Sequence, residues 1–205
     1  MWFCIFNHLK NYRKVQYRNL LIFFFLFTIP SVVMAQKYLS KDHPEINTEW
    51  KNYEFSSEKT ILENLSEVPE FGTYVEILKK TSGKNILEKE EMVTVFVIKN
   101  SAFERMDEKD RNIVLNNPIF LESLIKKLAI PGRVDRNGME VAVEKHGRIA
   151  TFFSLSSENL NLISEEGQLF IQDAEGNKAK VTASNFYHKN GLFHIIDNLV
   201  FLPKN

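Results

Sequence analysis

The hydrophobic period of this chain changes about two thirds of the way along, and this change constrains the fold more than any other feature. Between Ser57 and Leu128, apolar residues recur mainly at the three- and four-residue spacing of amphipathic helices. The remaining third consists of short runs, several of them alternating, separated by turn sequences such as "KHG", "EEG" and "HKNG". Helices followed by antiparallel strands predict an α+β domain rather than an alternating parallel one.

Capping residues divide the helical part. We expect Ser57 to cap a first helix and Gly83 to end a second one. Asn117 and Pro118 form an N-cap with proline at the first helical position, and "PGR" at 131–133 stops the helix that they begin. Several short helices therefore precede the strands.

One strand is predicted inside the helical part, and five follow it. "MVTVFVI" at 92–98 is β-branched and apolar on both faces, which is typical of a central buried strand. The later runs are "MEVAVE", "RIATFFSL", "GQLFIQD", "KAKVTASNFY" and "LFHIIDNLVFL". Asn190 and Gly191 are the strongest hairpin signal, because both central residues of a type I′ turn need positive φ.

The first 35 residues differ in kind from the rest. Four basic residues and no acid precede an apolar block that ends with Val33 and Ala35, so residues 1–35 are predicted to be a signal peptide cut before Gln36. A lasting membrane anchor needs about 20 apolar residues, and Pro30 interrupts this shorter block. Residues 36–56 are predicted to be a linker or a docked arm, and residues 57–205 the domain.

Export would leave the domain acidic and free of cysteine. The whole chain has 26 basic and 26 acidic residues, and loss of the four basic residues leaves a formal charge of −4. Such a surface does not favour nucleic acid as a partner. Cys4, the only cysteine, lies in the predicted signal, which excludes disulfides and a thiolate zinc site in the domain.

Two sequence blocks resemble the fasciclin-like (FAS1) family. "TVFVIKNSAF" matches the family's first block, and "NGLFHIIDNLVFLP" matches the second, with "PGRV" between them. The resemblance covers about residues 57–203 and implies short N-terminal helices packed on an antiparallel β-sheet wedge or sandwich. The family-motif positions, expected to be structural, are Thr94, Val95, Phe96, Asn100, Ala102, Phe103, Asn190, Gly191, His194, Ile196, Asp197 and Pro203.

The chain departs from the family at a position tied to adhesion. Many members carry a Tyr-His pair before the turn that follows the amphipathic helix, whereas Lys127 and Leu128 stand here. That pair is associated with integrin-type adhesion in animal members, so this form of adhesion is not expected. Adhesion or matrix association in a broader sense remains what the resemblance implies.

His194 and Asp197 interrupt an apolar run, and we interpret them as structural. On a strand they point to opposite faces, which is poor geometry for a catalytic pair. Because an unsatisfied buried polar group costs about 1–3 kcal/mol, we expect both to bond backbone groups of the loop around Asn100. His43, His146 and His188 are interpreted as solvated residues of the arm or of turns.

No catalytic apparatus is recognisable, so the sequence predicts neither an enzyme nor a cofactor or metal site. Ser154, Ser156 and Ser157 lack a "GxSxG" setting. Phe152 and Phe153 are adjacent in a predicted strand, so one of them faces away from the core unless both faces are covered, and an exposed member marks a binding patch.

The sequence thus predicts an exported, non-enzymatic module that binds a protein or glycan at the cell envelope or outside the cell. The predicted mature chain has no transmembrane span. A carrier of a small apolar ligand such as a pigment or lipid is the first alternative, and a secreted hydrolase with a deep pocket of converging titratable groups is the second.

Overall fold

The computed structural model describes residues 44–202. The predicted signal peptide, the first part of the predicted arm with His43, and Pro203 lie outside the described residues. Within 44–202 there are seven α-helices: α1 (Ile61–Ser66), α2 (Gly72–Lys80), α3 (Gly83–Lys89), α4 (Asn100–Glu104), α5 (Glu108–Leu115), α6 (Pro118–Lys127) and α7 (Arg136–Lys145). A 3-10 turn (Pro69–Phe71) precedes α2.

The same residues form nine strands in two sheets. The strands are β1 (Asn47–Trp50), β2 (Tyr53–Ser56), β3 (Val93–Ile98), β4 (Ala129–Pro131), β5 (Ile149–Phe153), β6 (Asn159–Glu165), β7 (Gln168–Gln172), β8 (Lys178–His188) and β9 (Gly191–Ile196). Strands β1 and β2 pair as a small hairpin, and the other seven form one sheet in the order β4-β3-β9-β8-β7-β6-β5.

The long strand β8 divides the large sheet into two leaves. Its first residues pair with β7, and its residues from Val181 onward pair with β9. The β8–β9 register shifts twice between Val181 and Phe186, and Asn185 has a φ of 68° there. Because bulges of this kind bend and twist a strand, the sheet folds into a wedge with β8 at its bend. The predicted α+β class and wedge architecture are confirmed.

Strand β3 is the central strand that its composition predicts. All six of its residues are buried. It pairs antiparallel with β4 and parallel with β9, and the parallel pairing brings two distant parts of the sequence into contact. All other pairs in the sheet are antiparallel.

Four local predictions were wrong. Gly83 does not end the second helix, because α2 stops at Lys80 and Gly83 begins α3 without a positive φ. The segment "MEVAVE" is part of helix α7, because Asp135 caps the helix by accepting from Gly138 N and its buried residues Met139 and Val143 are four apart. Apolar and polar residues partly alternate in this segment, and a run of only six residues fits a strand as well as a helix. The first helix is capped by Thr60 in a capping box with Glu63, not by Ser57.

The fourth error concerns the turn between β8 and β9. The hairpin exists, with His188 paired to Gly191, but neither Asn190 nor Gly191 has positive φ. The turn is therefore not type I′, and these two residues serve another purpose, described below.

The β1–β2 hairpin packs onto the rest of the fold through aromatic side chains. Phe55 is fully buried and lies 5.2 Å from Phe186 and 4.9 Å from Phe193 between ring centroids. Trp50 lies 5.2 Å from Phe71, in the turn before α2. Edge-to-face and tilted aromatic pairs of this kind stabilise beyond their buried area, so this part of the predicted arm belongs to the core.

Candidate functional site

The two blocks of the family resemblance lie side by side as strands β3 and β9. Thr94 is paired with Leu192, Phe96 with His194, and Ile98 with Ile196. The rings of Phe96 and His194 are 5.5 Å apart. The motif residues Val95, Phe96, Ala102, Phe103 and Ile196 are all buried in the core.

Thr94 and His194 are joined through the segment that follows β4. The Thr94 hydroxyl donates to Gly132 O at 2.7 Å and accepts from Val134 N at 2.9 Å. His194 Nε2 lies 2.9 Å from Val134 O on the other side of this segment. The first block, the "PGRV" turn and the second block are therefore held by one chain of hydrogen bonds.

These contacts determine the protonation state of His194. Asn185 N donates to Nδ1 at 3.3 Å, so Nδ1 is an acceptor and Nε2 carries the proton that it donates to Val134 O. The ring is fully buried, and this burial lowers the pKa of His194 to about 4. His194 is therefore neutral at physiological pH, with both nitrogens satisfied.

Asp197 also has a structural partner, but not the one expected. Its Oδ1 accepts from Lys180 N at 2.8 Å, and its own N–H donates to Lys180 O at 3.1 Å. Neither Asp197 nor His194 bonds the loop around Asn100 through its side chain. Asn100 instead accepts from Thr73 N and donates to Pro69 O, which fixes the start of α2.

Replacing Asp197 by alanine should lower the free energy of unfolding by about 1–2 kcal/mol, because Lys180 N–H loses its carboxylate acceptor. Thermal unfolding followed by circular dichroism measures this as a lower melting temperature. Asp197→Asn is the matched control, since it keeps an acceptor oxygen and should lose less. A melting curve unchanged by Asp197→Ala would contradict the structural role.

Asn190 and Gly191 join the β8–β9 turn to helix α3 and strand β3. Asn190 Nδ2 donates to Leu87 O and Glu90 O, each at 2.8 Å, at the end of α3 where backbone carbonyls lack helical partners. Val93 N donates to Asn190 O at 2.9 Å. A Cβ on Gly191 would lie 1.7 Å from Val93 O, so only glycine fits beside β3.

The interpretation of His188 as a solvated turn residue was wrong. It is fully buried at the end of β8, and neither ring nitrogen has a hydrogen-bond partner within the described residues. Burial lowers the pKa of His188 to about 4. His146 is exposed at the end of α7, as expected of a residue beside a turn.

Polar residues that resemble catalytic groups have local structural roles. Ser154 Oγ lies 2.7 Å from Ser156 Oγ and donates to Glu158 O in a turn, and Ser157 has a φ of 62°. Within residues 44–202, three or more His, Cys, Asp or Glu side chains do not gather in a group that could hold a metal ion.

An open groove lies along helix α6. Its walls come from α6, the loop before β6, the loop after β7 and the last described residues, and its volume is about 460 Å³. Its lining residues are Phe120, Ser123, Leu124, Lys127, Glu158, Asn159, Ala174, Glu175, Phe201 and Leu202. We call this the α6 groove.

The α6 groove combines aromatic surface with one ion pair. Lys127 Nζ lies 3.0 Å from Glu158 Oε2 and 5.5 Å from the centroid of the Phe201 ring. Leu202 is 42% exposed. Ile119, on the same helix, is 83% exposed but lines a separate hollow. The α6 groove thus offers apolar contact area beside a charged pair.

Sequence reasoning missed the groove and a buried asparagine. Asn64 is fully buried in α1, where it accepts from Ser56 N and donates to Ser56 O, Lys59 O and Tyr187 O. It thus holds the β1–β2 hairpin, α1 and β8 together. Its position on the apolar face of the helix, between Ile61 and Leu65, was the available signal.

Phe152 and Phe153 take different environments. Phe152 is partly buried against the core, and Phe153 is 71% exposed on the edge strand β5. Neither lines the α6 groove.

The sequence as a whole matches a known family. The model of the Fasciclin domain matches residues 69–203, more than half of the chain. The chain belongs to the fasciclin domain family. The resemblance carried by the two blocks is thereby confirmed.

Two known proteins are similar to this chain, which spans less than half the length of each. It is 23% identical to human periostin over 149 residues, which is 71% of this chain and 16% of periostin. Its structure is similar to a FAS1 domain pair from the insect cell adhesion molecule fasciclin I, with a TM-score of 0.54 and 17% identity over 68% of this chain and 47% of that one. The second likeness concerns the fold.

None of the helices within residues 44–202 is long and apolar enough to cross a bilayer.

Proposed function

We propose that this fasciclin domain is an exported, non-enzymatic binding module that contacts a protein or glycan at the cell envelope or outside the cell through the α6 groove. Support for a binding role comes from the family and from the origin of the structural neighbour in a cell adhesion molecule. The basic and apolar N-terminal sequence supports export.

The α6 groove is the observation that carries this proposal. Its lining includes Phe120 and Phe201, and aromatic side chains in a concave patch are typical anchors of recognition surfaces. Lys127, which stands at one position of the family's Tyr-His pair, lines the groove, whereas Leu128 is fully buried. This chain therefore presents a cation where many relatives present a tyrosine or histidine, and its partner should differ from theirs.

Replacing Leu202 by aspartate should reduce binding to the organism's own surface fraction about tenfold or more, because it places a charge in an apolar contact. Met92→Asp is the matched control, since Met92 is 47% exposed outside the groove and Leu202 is 42% exposed within it. Binding would be measured by biolayer interferometry on immobilised surface material.

Pretreating the surface material identifies the class of partner. Loss of binding after protease digestion indicates a protein, and loss after periodate oxidation indicates a glycan. Equal binding by the wild-type chain, Leu202→Asp and Met92→Asp would contradict recognition through the α6 groove.

A carrier of a small apolar ligand is the second candidate, favoured by the groove volume of about 460 Å³, which lies within the usual range of small-molecule sites. Native mass spectrometry of the purified chain separates the two candidates, because a carrier retains a bound pigment or lipid. The hydrolase alternative gains no support from the groove, since neither His188 nor His194 lines it.

A further inference from the structure

Asp173 is a buried carboxylate that bonds to two walls of the α6 groove without lining the groove itself. It directly follows strand β7 and is only 3% exposed. A buried carboxylate is costly unless hydrogen bonds replace the water that it loses. The donors that surround Asp173 therefore show which parts of the chain it holds in place.

One oxygen of Asp173 holds the loop between β7 and β8. Its Oδ1 accepts from Glu175 N at 3.1 Å and from Asn177 N at 2.8 Å. Two backbone bonds close the same turn, from Asp173 N to Asn177 O and from Gly176 N to Asp173 O. This loop carries Ala174 and Glu175, which line the α6 groove.

The other oxygen reaches the last described part of the chain. Oδ2 of Asp173 accepts from Asn177 Nδ2 at 2.8 Å and from Phe201 N at 3.0 Å. Phe201 has a φ of 61°, in the left-handed region, which is disfavoured by a factor of roughly ten for a residue with a Cβ. The bond from Phe201 N to the carboxylate offsets this cost.

The left-handed backbone at Phe201 determines where the final wall of the groove lies. The Phe201 ring lines the groove, with its centroid 5.5 Å from Lys127 Nζ. Leu202 follows directly and lines the groove as well. Because φ sets the direction of the chain, a relaxed φ at Phe201 would move both side chains.

We propose that Asp173 is a positioning residue for the α6 groove, a role that rests on the proposed function. Its carboxylate holds Phe201 in the left-handed conformation and residues 174–177 in their turn, so two walls are ordered before a partner binds. A pre-ordered wall spares the partner the entropic cost of ordering it. Burial opposes the charge of Asp173, but hydrogen bonds from Asn177, Phe201 and Glu175 outweigh it and lower the pKa of the carboxyl.

The variant Asp173→Asn removes the acceptor of Phe201. Asparagine keeps one oxygen, and its new amide group faces two donors. Asn177 can turn its own amide to accept from that group, whereas the backbone N–H of Phe201 can only donate. The left-handed conformer should fall to roughly a tenth of the population. The apparent affinity for immobilised surface material, measured by biolayer interferometry, should therefore fall about tenfold.

Asp135→Asn is the matched control for the loss of a carboxylate. Asp135 Oδ1 also accepts from a backbone N–H, that of Gly138 at 2.7 Å, but Asp135 lies before α7 and does not line the groove. This variant should bind the surface material as the wild-type chain does.

A double variant separates positioning from general stability. In Asp173→Asn/Asn177→Asp the charge is restored, and the side-chain bond between positions 173 and 177 returns with donor and acceptor exchanged. Phe201 N still lacks its acceptor. The melting temperature should return toward that of the wild type, while binding should stay about tenfold weaker. Hydrogen exchange of the Phe201 amide, followed by NMR, should be about tenfold faster in both Asp173 variants.

The two readouts distinguish failure of the positioning role from failure of the proposed function. A wild-type chain that does not bind surface material defeats the proposed function, while amide exchange still tests what Asp173 does to Phe201. Wild-type exchange of Phe201 in Asp173→Asn, or equal binding by Asp173→Asn and Asp135→Asn, overturns the positioning role. Recovery of binding together with the melting temperature in the double variant also overturns it, because Asp173 would then act through stability alone.

Discussion

Replacing Gly191 by alanine is expected to lower the free energy of unfolding by about 4 kcal/mol or more, or to prevent folding, which places it among the largest effects of a single substitution. The added Cβ would lie 1.7 Å from Val93 O and 2.8 Å from Val93 C. These are backbone atoms of the fully buried strand β3, so a side-chain rotation cannot relieve the clash. The β3–β9 pairing would have to separate where it begins.

Gly72→Ala is the matched control for this experiment. Gly72 begins α2, its φ is −51°, and the nearest atom to an added Cβ is Asn100 Nδ2 at 3.8 Å. Alanine there should be neutral or stabilise by a few tenths of a kcal/mol, as helix propensity and unfolded-state entropy favour it. Urea unfolding of both variants measures the difference. A Gly191→Ala protein as stable as the wild type would show that β3 and β9 do not approach as described.

The same glycine shows what the sequence can and cannot predict. "NG" correctly indicates a hairpin between β8 and β9, because turn chemistry is local. The reason for the glycine is a contact with Val93, nearly one hundred residues earlier in the chain. A close approach of this kind depends on the parallel pairing of β3 with β9, which short-range patterns do not encode.

For the polar residues of the core, too, the sequence predicts the local requirement but not the distant partner. That His194 and Asp197 need partners follows from their apolar surroundings. Which atoms supply those partners depends on the bend of β8, which presents Asn185 N to His194 and Lys180 N to Asp197. The α6 groove was not predictable either, because its walls come from four separate parts of the chain.

Lowering the pH from 6.5 toward 4 should destabilise the domain through its two buried histidines. Both have pKa values of about 4 because burial disfavours the charged ring, compared with about 6.5 in an unfolded chain. Below pH 6.5 the unfolded state therefore binds more protons than the folded state. The stability that the two neutral rings contribute is therefore fully present above pH 6.5 and is lost as the pH falls toward 4. At pH 5 the loss is roughly 2 kcal/mol per histidine.

The surroundings of each ring indicate how the two contributions differ. Protonation of His194 would place a proton on Nδ1, against the N–H of Asn185, although Asp135 nearby favours the charge. His188 makes no hydrogen bond within normal geometry, and burial opposes its charged form more than the nearby polar groups of Leu192, Asn190 and Val93 favour it, while Arg133 adds to the opposition. Removing His188 should consequently eliminate a titration without breaking a hydrogen bond.

Substitution of His188 by leucine should therefore reduce the loss of stability between pH 6.5 and 5 by about half. Stability at pH 7 should be equal or higher, because leucine replaces a ring with unsatisfied nitrogens. His194→Leu should also flatten the pH dependence but lower stability at pH 7, since it leaves Val134 O and Asn185 N without their partner. His146→Leu, at an exposed position, should keep the wild-type pH dependence. Urea unfolding across this pH range measures all three, and a His188→Leu slope as steep as that of the wild type would show that the ring is not buried in its neutral form.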